Sequence, residues 1–172
     1  MAKNKRELDR FANRIYAQVT ESVAGTLAFS EINTNMSIFD KQAFVLHRLE
    51  YYPRTEDLNL MVSNSDYIEY ALTASNTITT LDLANPAVID VHKIGCWFST
   101  AVGHESTFQP FSRDFTGLPG GGLICAPRPL YLAARGISLA ATVQVTMRAY
   151  FSILEMSAED YLDLVDFYRV LA

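Results

Sequence analysis

The chain has 172 residues, of which 49% are hydrophobic and 19% charged, and its formal net charge is −5. This length is typical of one domain that buries its own core without disulfides or metals. The composition excludes an intrinsically disordered chain, and no apolar run is long enough for a membrane span. No apolar stretch follows the charged first residues, which predicts no secretory signal and synthesis in a reducing, intracellular compartment.

Residues 4–20 are predicted to form an amphipathic helix, because Leu8, Phe11, Ile15 and Val19 recur at steps of three and four. The segment is basic, and its five cations are Lys3, Lys5, Arg6, Arg10 and Arg14. On a helix, the arginines at steps of four form one stripe. Residues 1–22 are therefore expected to be an N-terminal helix or arm whose cations contact nucleic acid or a neighbouring subunit.

Short β-strands separated by turns are predicted over the next part of the chain. The predicted strands are 26–32, 43–52, 58–62, 67–73, 88–94 and 96–102. Turns are expected at 64–66 and 85–86, where Asn, Ser, Asp and Pro cluster. Residues 103–128 are rich in Gly and Pro without a sustained period, which predicts a long loop.

The clearest pattern in the sequence is the alternation of apolar and mostly polar residues over 139–154. Period-two alternation over this length predicts a long strand with Val145 and Met147 facing a core. A short strand is predicted before it, at 130–135. Ser157 is a good N-cap for a final helix, because acidic residues follow it in the first turn.

About eight strands and few helices predict an all-β antiparallel sandwich with an amphipathic helix at each terminus. The sandwich is expected to occupy residues 23–155. The C-terminal helix, residues 156–172, is expected to belong to the same domain, with Tyr161, Leu164 and Val165 on its apolar face.

No residue pattern matches a catalytic or metal-binding motif. A zinc site could be assembled only from residues without paired-ligand spacing: His92, Cys96, His104, Glu105 and Cys125. The glycine-rich segment 117–122 lacks the Lys-Ser/Thr of a phosphate-binding loop. The chain is therefore expected not to be an enzyme, and no cofactor or metal is predicted.

Four features follow one another along nearly the whole chain. They are the basic segment 3–14, the Gly/Pro-rich loop 117–129, the segment Leu-Tyr-Leu-Ala-Ala-Arg-Gly at 130–136, and the long last strand before a helix. In these features the chain resembles the single jelly-roll capsid proteins of icosahedral viruses. The resemblance implies a jelly roll, a structural coat protein of the virion made in the host cytoplasm, and self-assembly of many copies. It also implies weak, non-specific contact with genomic nucleic acid.

Two other functions are compatible with the same sequence. The first is a carbohydrate- or ligand-binding sandwich, with Trp97, Phe98 and the loop 103–122 as its site, because exposed aromatic rings stack on sugars. The second is an enzyme whose site residues are scattered over several strands. A large homo-oligomeric particle would favour the capsid reading over both.

Overall fold

The computed structural model describes residues 13–34, 41–95, 97–99, 103–105, 111–126 and 129–170, and only the backbone at 97–99, 103–105 and 167–170. Within these ranges the strands are β1 Asn13–Thr20, β2 Ala28–Ile32, β3 Gln42–Pro53, β4 Tyr67–Thr73, β5 Val88–Gly95, β6 Trp97–Ser99, β7 Gly103–Glu105, β8 Phe111–Asp114, β9 Leu123–Cys125, β10 Leu130–Ile137 and β11 Gln144–Glu155. The helices are α1 Thr55–Leu58 and α2 Ala158–Val170.

The strands form two main antiparallel sheets that face each other across the core. The front sheet has the order β1-β11-β3-β8, with β9 also paired to β3, and the back sheet has the order β2-β10-β4-β5. Strands β6 and β7 pair with each other. The predicted all-β antiparallel sandwich is confirmed.

The strand pairs nest inside one another along the sequence. Strand β1 pairs with β11, β2 with β10, β3 with β8 and β9, and β4 with β5. Two further pairings, of β3 with β11 and β4 with β10, join the nested pairs into sheets. Among the described strands the first therefore pairs with the last, and the later pairs lie inside this one along the sequence.

The core lies between the two sheets and follows the period-two pattern of the sequence. On β11, Val145 and Met147 are fully buried, as predicted, and on β4 the inward residues are Ile68, Tyr70 and Leu72. Alternation places every second side chain of a strand on one face, so a strand with one apolar face turns that face inward. The predicted bounds of β4 are confirmed.

Helix α2 covers one half of the outer face of the front sheet. Leu164 of the helix packs against a buried cluster of Ala43, Val45 and Leu154. The Ser157 Oγ accepts a hydrogen bond from the backbone N–H of Asp160 at 3.1 Å, so the predicted N-cap is confirmed. The other half of this outer face has no covering element among the described residues.

The predicted N-terminal helix is wrong from residue 13 onward, because Asn13–Thr20 is strand β1. Ala17 and Val19 are buried opposite Met147 and Val145 of β11, while Arg14 and Tyr16 point outward. A step of four between apolar residues fits a strand face as well as a helix face, and pairing with β11 decides between them. Residues 1–12 lie outside the described residues.

Several other strands differ from their predicted bounds by one or two residues, and three segments differ by more. The segment 58–62 is no strand: α1 ends at Leu58, and Val62 is 71% exposed. The predicted long loop contains β7, β8 and β9, two of which pair with β3. The last strand starts only at Gln144, because Ser138 has a positive φ of 60° and breaks the extended backbone before it.

The register of β11 predicts unequal effects of two neighbouring substitutions. Val145→Asp should lower the free energy of unfolding by about 3–5 kcal/mol, because it buries an unpaired carboxylate. Thr146→Asp, on the outward face, should cost less than about 1 kcal/mol. Urea unfolding measures both, and equal midpoints would show that the register is wrong.

Candidate functional site

Of the five cations predicted to make functional contacts, only Arg14 lies among the described residues. It is exposed on β1, opposite Tyr150 of β11. Since β1 is extended, Arg14 does not continue a helical stripe from Arg6 and Arg10, and that part of the prediction is wrong. Lys3, Lys5, Arg6 and Arg10 lie outside the described residues.

The uncovered half of the front sheet carries a cluster of arginines and tyrosines around one carboxylate. We call it the arginine–tyrosine face, and its members are Arg14, Tyr16, Arg48, Glu50, Tyr52, Arg148 and Tyr150. Tyr16, Arg148 and Glu50 are direct cross-strand neighbours on β1, β11 and β3. Sequence analysis did not single out this face, although the period-two pattern of β11 already placed Arg148 and Tyr150 on its polar side.

Arg148 is at the centre of this face. Its Cζ lies 5.1 Å from the ring centroid of Tyr16 and 5.6 Å from that of Tyr52, so the guanidinium contacts two aromatic rings. Its Nη1 donates to Tyr150 Oη at 3.3 Å and to Glu50 Oε2 at 3.4 Å. The Nε atom of Arg148 is buried and has no hydrogen-bond partner among the described residues.

The Glu50 carboxylate accepts hydrogen bonds and ion pairs from several side chains of the face. Its Oε2 accepts hydrogen bonds from Tyr52 Oη at 2.8 Å and Tyr150 Oη at 3.3 Å, and its Oε1 lies 2.8 Å from Arg48 Nη2. The hydrogen bond to Glu50 raises the pKa of Tyr52. Glu50 is buried beneath its partners, so the face presents arginine and tyrosine to solvent.

A second polar cluster joins the two sheets at the side where β8 and β5 form the edges. Tyr51 Oη donates to Asp90 Oδ2 at 3.2 Å, and the same oxygen lies 2.9 Å from His92 Nε2. The ring centroids of Phe111 and His92 are 3.6 Å apart. Arg113 Nε is 4.0 Å from Asp90 Oδ1. These contacts bridge the front and back sheets.

Two buried tyrosines, Tyr51 and Tyr70, lie close to Asp90 in the second cluster. Burial, and then the nearby Asp90, raise the pKa of Tyr51 well above its usual value. The same causes raise the pKa of Tyr70 to about 12. Both phenols are therefore neutral at ordinary pH.

The described ranges contain no group of three or more His, Cys, Asp or Glu side chains that could hold a metal ion. Cys125 is buried, and its thiol donates to the backbone oxygen of Leu123 at 3.9 Å. Cys96 and the side chains of His104 and Glu105 lie outside the described residues, as do the side chains of Trp97 and Phe98. In the part of the chain that the structure describes, no helix is long and apolar enough to cross a membrane.

Comparison with known proteins adds no assignment: no family model, no curated protein and no solved structure matches this chain.

The buried tyrosines predict a loss of stability in alkaline solution. Above pH about 10 the unfolded chain ionises Tyr70 while the folded chain, with a pKa of about 12, does not. Stability contributed by the neutral phenol is full below pH 10 and is lost as pH rises, by roughly 2 kcal/mol at pH 12. Tyr70→Phe should flatten this decline in urea unfolding measured from pH 8 to 11.5.

Ile68→Val is the matched control, since Ile68 is buried on the same face of the same strand. Ile68→Val should lower stability at neutral pH, and its curve of stability against pH should then run parallel to that of the unsubstituted chain. A Tyr70→Phe curve parallel to the unsubstituted one would contradict the prediction.

Proposed function

We propose that this chain is a structural subunit that assembles with many copies of itself into a closed shell, the coat of an icosahedral virion. The observation that carries the proposal is the nested strand order, with β1-β11-β3-β8 facing β2-β10-β4-β5. Nested pairing across two sheets supports a jelly roll, an architecture used by viral capsid, lectin and cupin domains.

One end of the sandwich is braced in a way that suits a building block. This braced end consists of the loops 21–27, 54–66 and 138–143. The buried Glu21 carboxylate accepts backbone hydrogen bonds from Gly25, Gly136 and Val143 at 2.8–3.1 Å. The Glu21 carboxylate therefore connects loop 21–27 to loop 138–143 and to β10. A carboxylate held by three N–H donors fixes loop geometry that contacts between subunits can then use.

A second buried carboxylate at the braced end ties α1 to β11. Asp57 is fully buried, and its Oδ1 accepts hydrogen bonds from Arg54 Nε at 2.9 Å and Nη2 at 2.6 Å. Its Oδ2 accepts one from the backbone N–H of Gln144 at 2.7 Å. The two carboxylates together connect all three loops of the braced end.

The braced end also presents apolar side chains to solvent. Val23 is 60% exposed and Val62 is 71% exposed. Val62 is held in place, because its backbone N–H donates to Asp66 Oδ2 at 2.7 Å. Exposed apolar side chains on fixed loops are well suited to burial in a contact between subunits.

The cations of the N-terminal segment are part of the same proposal. Lys3, Lys5, Arg6, Arg10 and Arg14 supply the positive charge of residues 1–14. Contact of this segment with genomic nucleic acid would be non-specific and weak, and it would fall steeply with salt because each neutralised phosphate releases counterions.

A carbohydrate-binding sandwich is the second candidate, and the exposed ring of Tyr16 favours it. Tyr16 is 56% exposed and lies beside the hydrogen-bonding groups of Arg148 and Glu50. Arg148 packs against the Tyr16 ring, which reduces the surface left for sugar stacking. We therefore favour the shell subunit.

Assembly can be measured directly on the purified chain by sedimentation velocity and negative-stain microscopy. We expect closed particles many times the 19.2 kDa of one chain. Val23→Asp combined with Val62→Asp should reduce particle yield at least tenfold, because it places charges where apolar side chains are buried between subunits.

Leu83→Asp is the matched control, since Leu83 is 64% exposed but lies in the β4–β5 loop, at the other end of the sandwich. Its particle yield should exceed that of the double variant. Thermal midpoints of all variants confirm folding. A compact monomer at every salt and protein concentration would contradict the proposal.

A further inference from the structure

We propose that two copies of the chain pair about a twofold axis, each setting the acidic side of its α2 on the arginine–tyrosine face of the other. This inference rests on the proposed self-assembly and names the surface through which copies first associate. Its basis is the placement of two complementary surfaces side by side on the same sheet.

The outward side of α2 is acidic. Tyr161, Leu164 and Val165 turn toward the sheet and are buried or partly buried. Four of the exposed residues of the helix recur at steps of one, three and four and therefore share the opposite side. They are Glu159, Leu162, Asp163 and Asp166. Leu162 is 61% exposed, so this acidic side includes one large apolar side chain.

The arginine–tyrosine face carries the opposite charge. The side chains of Arg48 and Arg148 are 50% and 33% exposed, and Arg14 is exposed without an ion-pair partner among the described residues. Glu50 offsets one of these charges from below, with its side chain 10% exposed. Asp114 lies opposite Arg48 at the edge, where its Oδ1 accepts hydrogen bonds from Thr116. The exposed centre of the face is therefore cationic.

The position of the two surfaces fixes the symmetry of the contact. Helix α2 packs on Val45 and Leu154, and the arginine–tyrosine face occupies the next part of the same strands, β3 and β11, on the same outer side. A second copy that is turned to face the first and rotated by half a turn brings each helix over the other's face. The contact is then reciprocal, which is the isologous arrangement of a twofold dimer.

In each helix–face contact, acidic side chains of one copy lie opposite arginines of the other. The contact also buries one large exposed side chain from each surface, Leu162 on the helix and Tyr16 on the face. The contact also removes water from around Arg148, where cation–aromatic and ionic contacts become stronger as solvent is excluded. Residues 1–12 are a poorer occupant of the face, because Lys3, Lys5, Arg6 and Arg10 give them the same sign of charge.

Charge reversal with mixing tests the pairing. A face variant carries Arg14→Glu and Gln18→Glu, both at exposed outward positions of β1. A helix variant carries Asp163→Lys and Asp166→Lys. In a dimer of either variant alone, both helix–face contacts place like charges opposite each other. In a dimer that contains one copy of each variant, both helix–face contacts again place unlike charges opposite each other.

Sedimentation velocity of the full chain at about 50 mM salt, where exposed charges are weakly screened, gives the readout. We expect each variant alone to associate at least tenfold more weakly than the unsubstituted chain, and the equimolar mixture to recover. The association of the unsubstituted chain should weaken as salt is raised. Glu31→Lys combined with Asp82→Lys, both exposed and outside the two surfaces and the braced end, should leave association unchanged.

The pairing is overturned if both variants associate like the unsubstituted chain, if mixing does not restore association, or if the face variant loses only bound nucleic acid. Closed particles formed equally well by both variants would overturn the pairing and leave the shell proposal standing. Dimers that obey the mixing pattern but never form particles would support the pairing and overturn the shell. A monomer at every salt concentration would overturn both.

Discussion

The pairing of β3 with β11 is the constraint on which the rest of the structure depends. Both strands lie in the middle of the front sheet, and their pairing is interrupted by one extra residue, His47, on β3. The His47 ring bridges Gly121 O at 2.9 Å and Ser152 Oγ at 2.8 Å. A Cβ on Gly122 would lie 2.7 Å from Val45 Cγ1, so only glycine lets the glycine-rich loop pack this closely against β3. The glycine-rich segment 117–122, which lacks the Lys-Ser/Thr of a phosphate-binding loop, therefore packs against β3 through Gly122.

The sequence predicted the strands whose two faces differ most in polarity. The bounds of β4 and the inward residues of β11 followed from period two alone, because a one-residue slip would move every apolar side chain to the outer face. Strand β1 could not be identified in this way. Its apolar residues Ile15 and Val19 are four apart, a spacing shared by both periodicities, and only their pairing with Ala149 and Val145 makes the segment a strand. Strands β8 and β9 are short and lie among Gly and Pro, so they carry too few alternating positions to be recognised.

The polar clusters could not be predicted as clusters, because each is assembled by cross-strand register. Tyr16, Glu50 and Arg148 come from three strands far apart in sequence. Asp90 and His92 share a strand, but their partner Tyr51 belongs to the other sheet. Period two predicts which side of a strand a residue faces, and says nothing about which strand lies beside it. The positive charge of the N-terminal residues, by contrast, could be recognised from the composition of the segment alone.

The arginine–tyrosine face is difficult to explain as a device for the stability of a single chain. Exposed ion pairs contribute about 0–1 kcal/mol, and ordering long side chains such as Arg48 and Arg148 costs conformational entropy of similar or greater size. Within the described part of the chain the buried Nε of Arg148 has no hydrogen-bond partner, and a buried donor left in this way costs about 1–3 kcal/mol. A covering surface changes this balance, because charge–charge and cation–aromatic contacts strengthen when water is excluded, and side chains that are already ordered lose little further entropy on binding. This balance is the physical reason for proposing the face as one half of a contact between two copies.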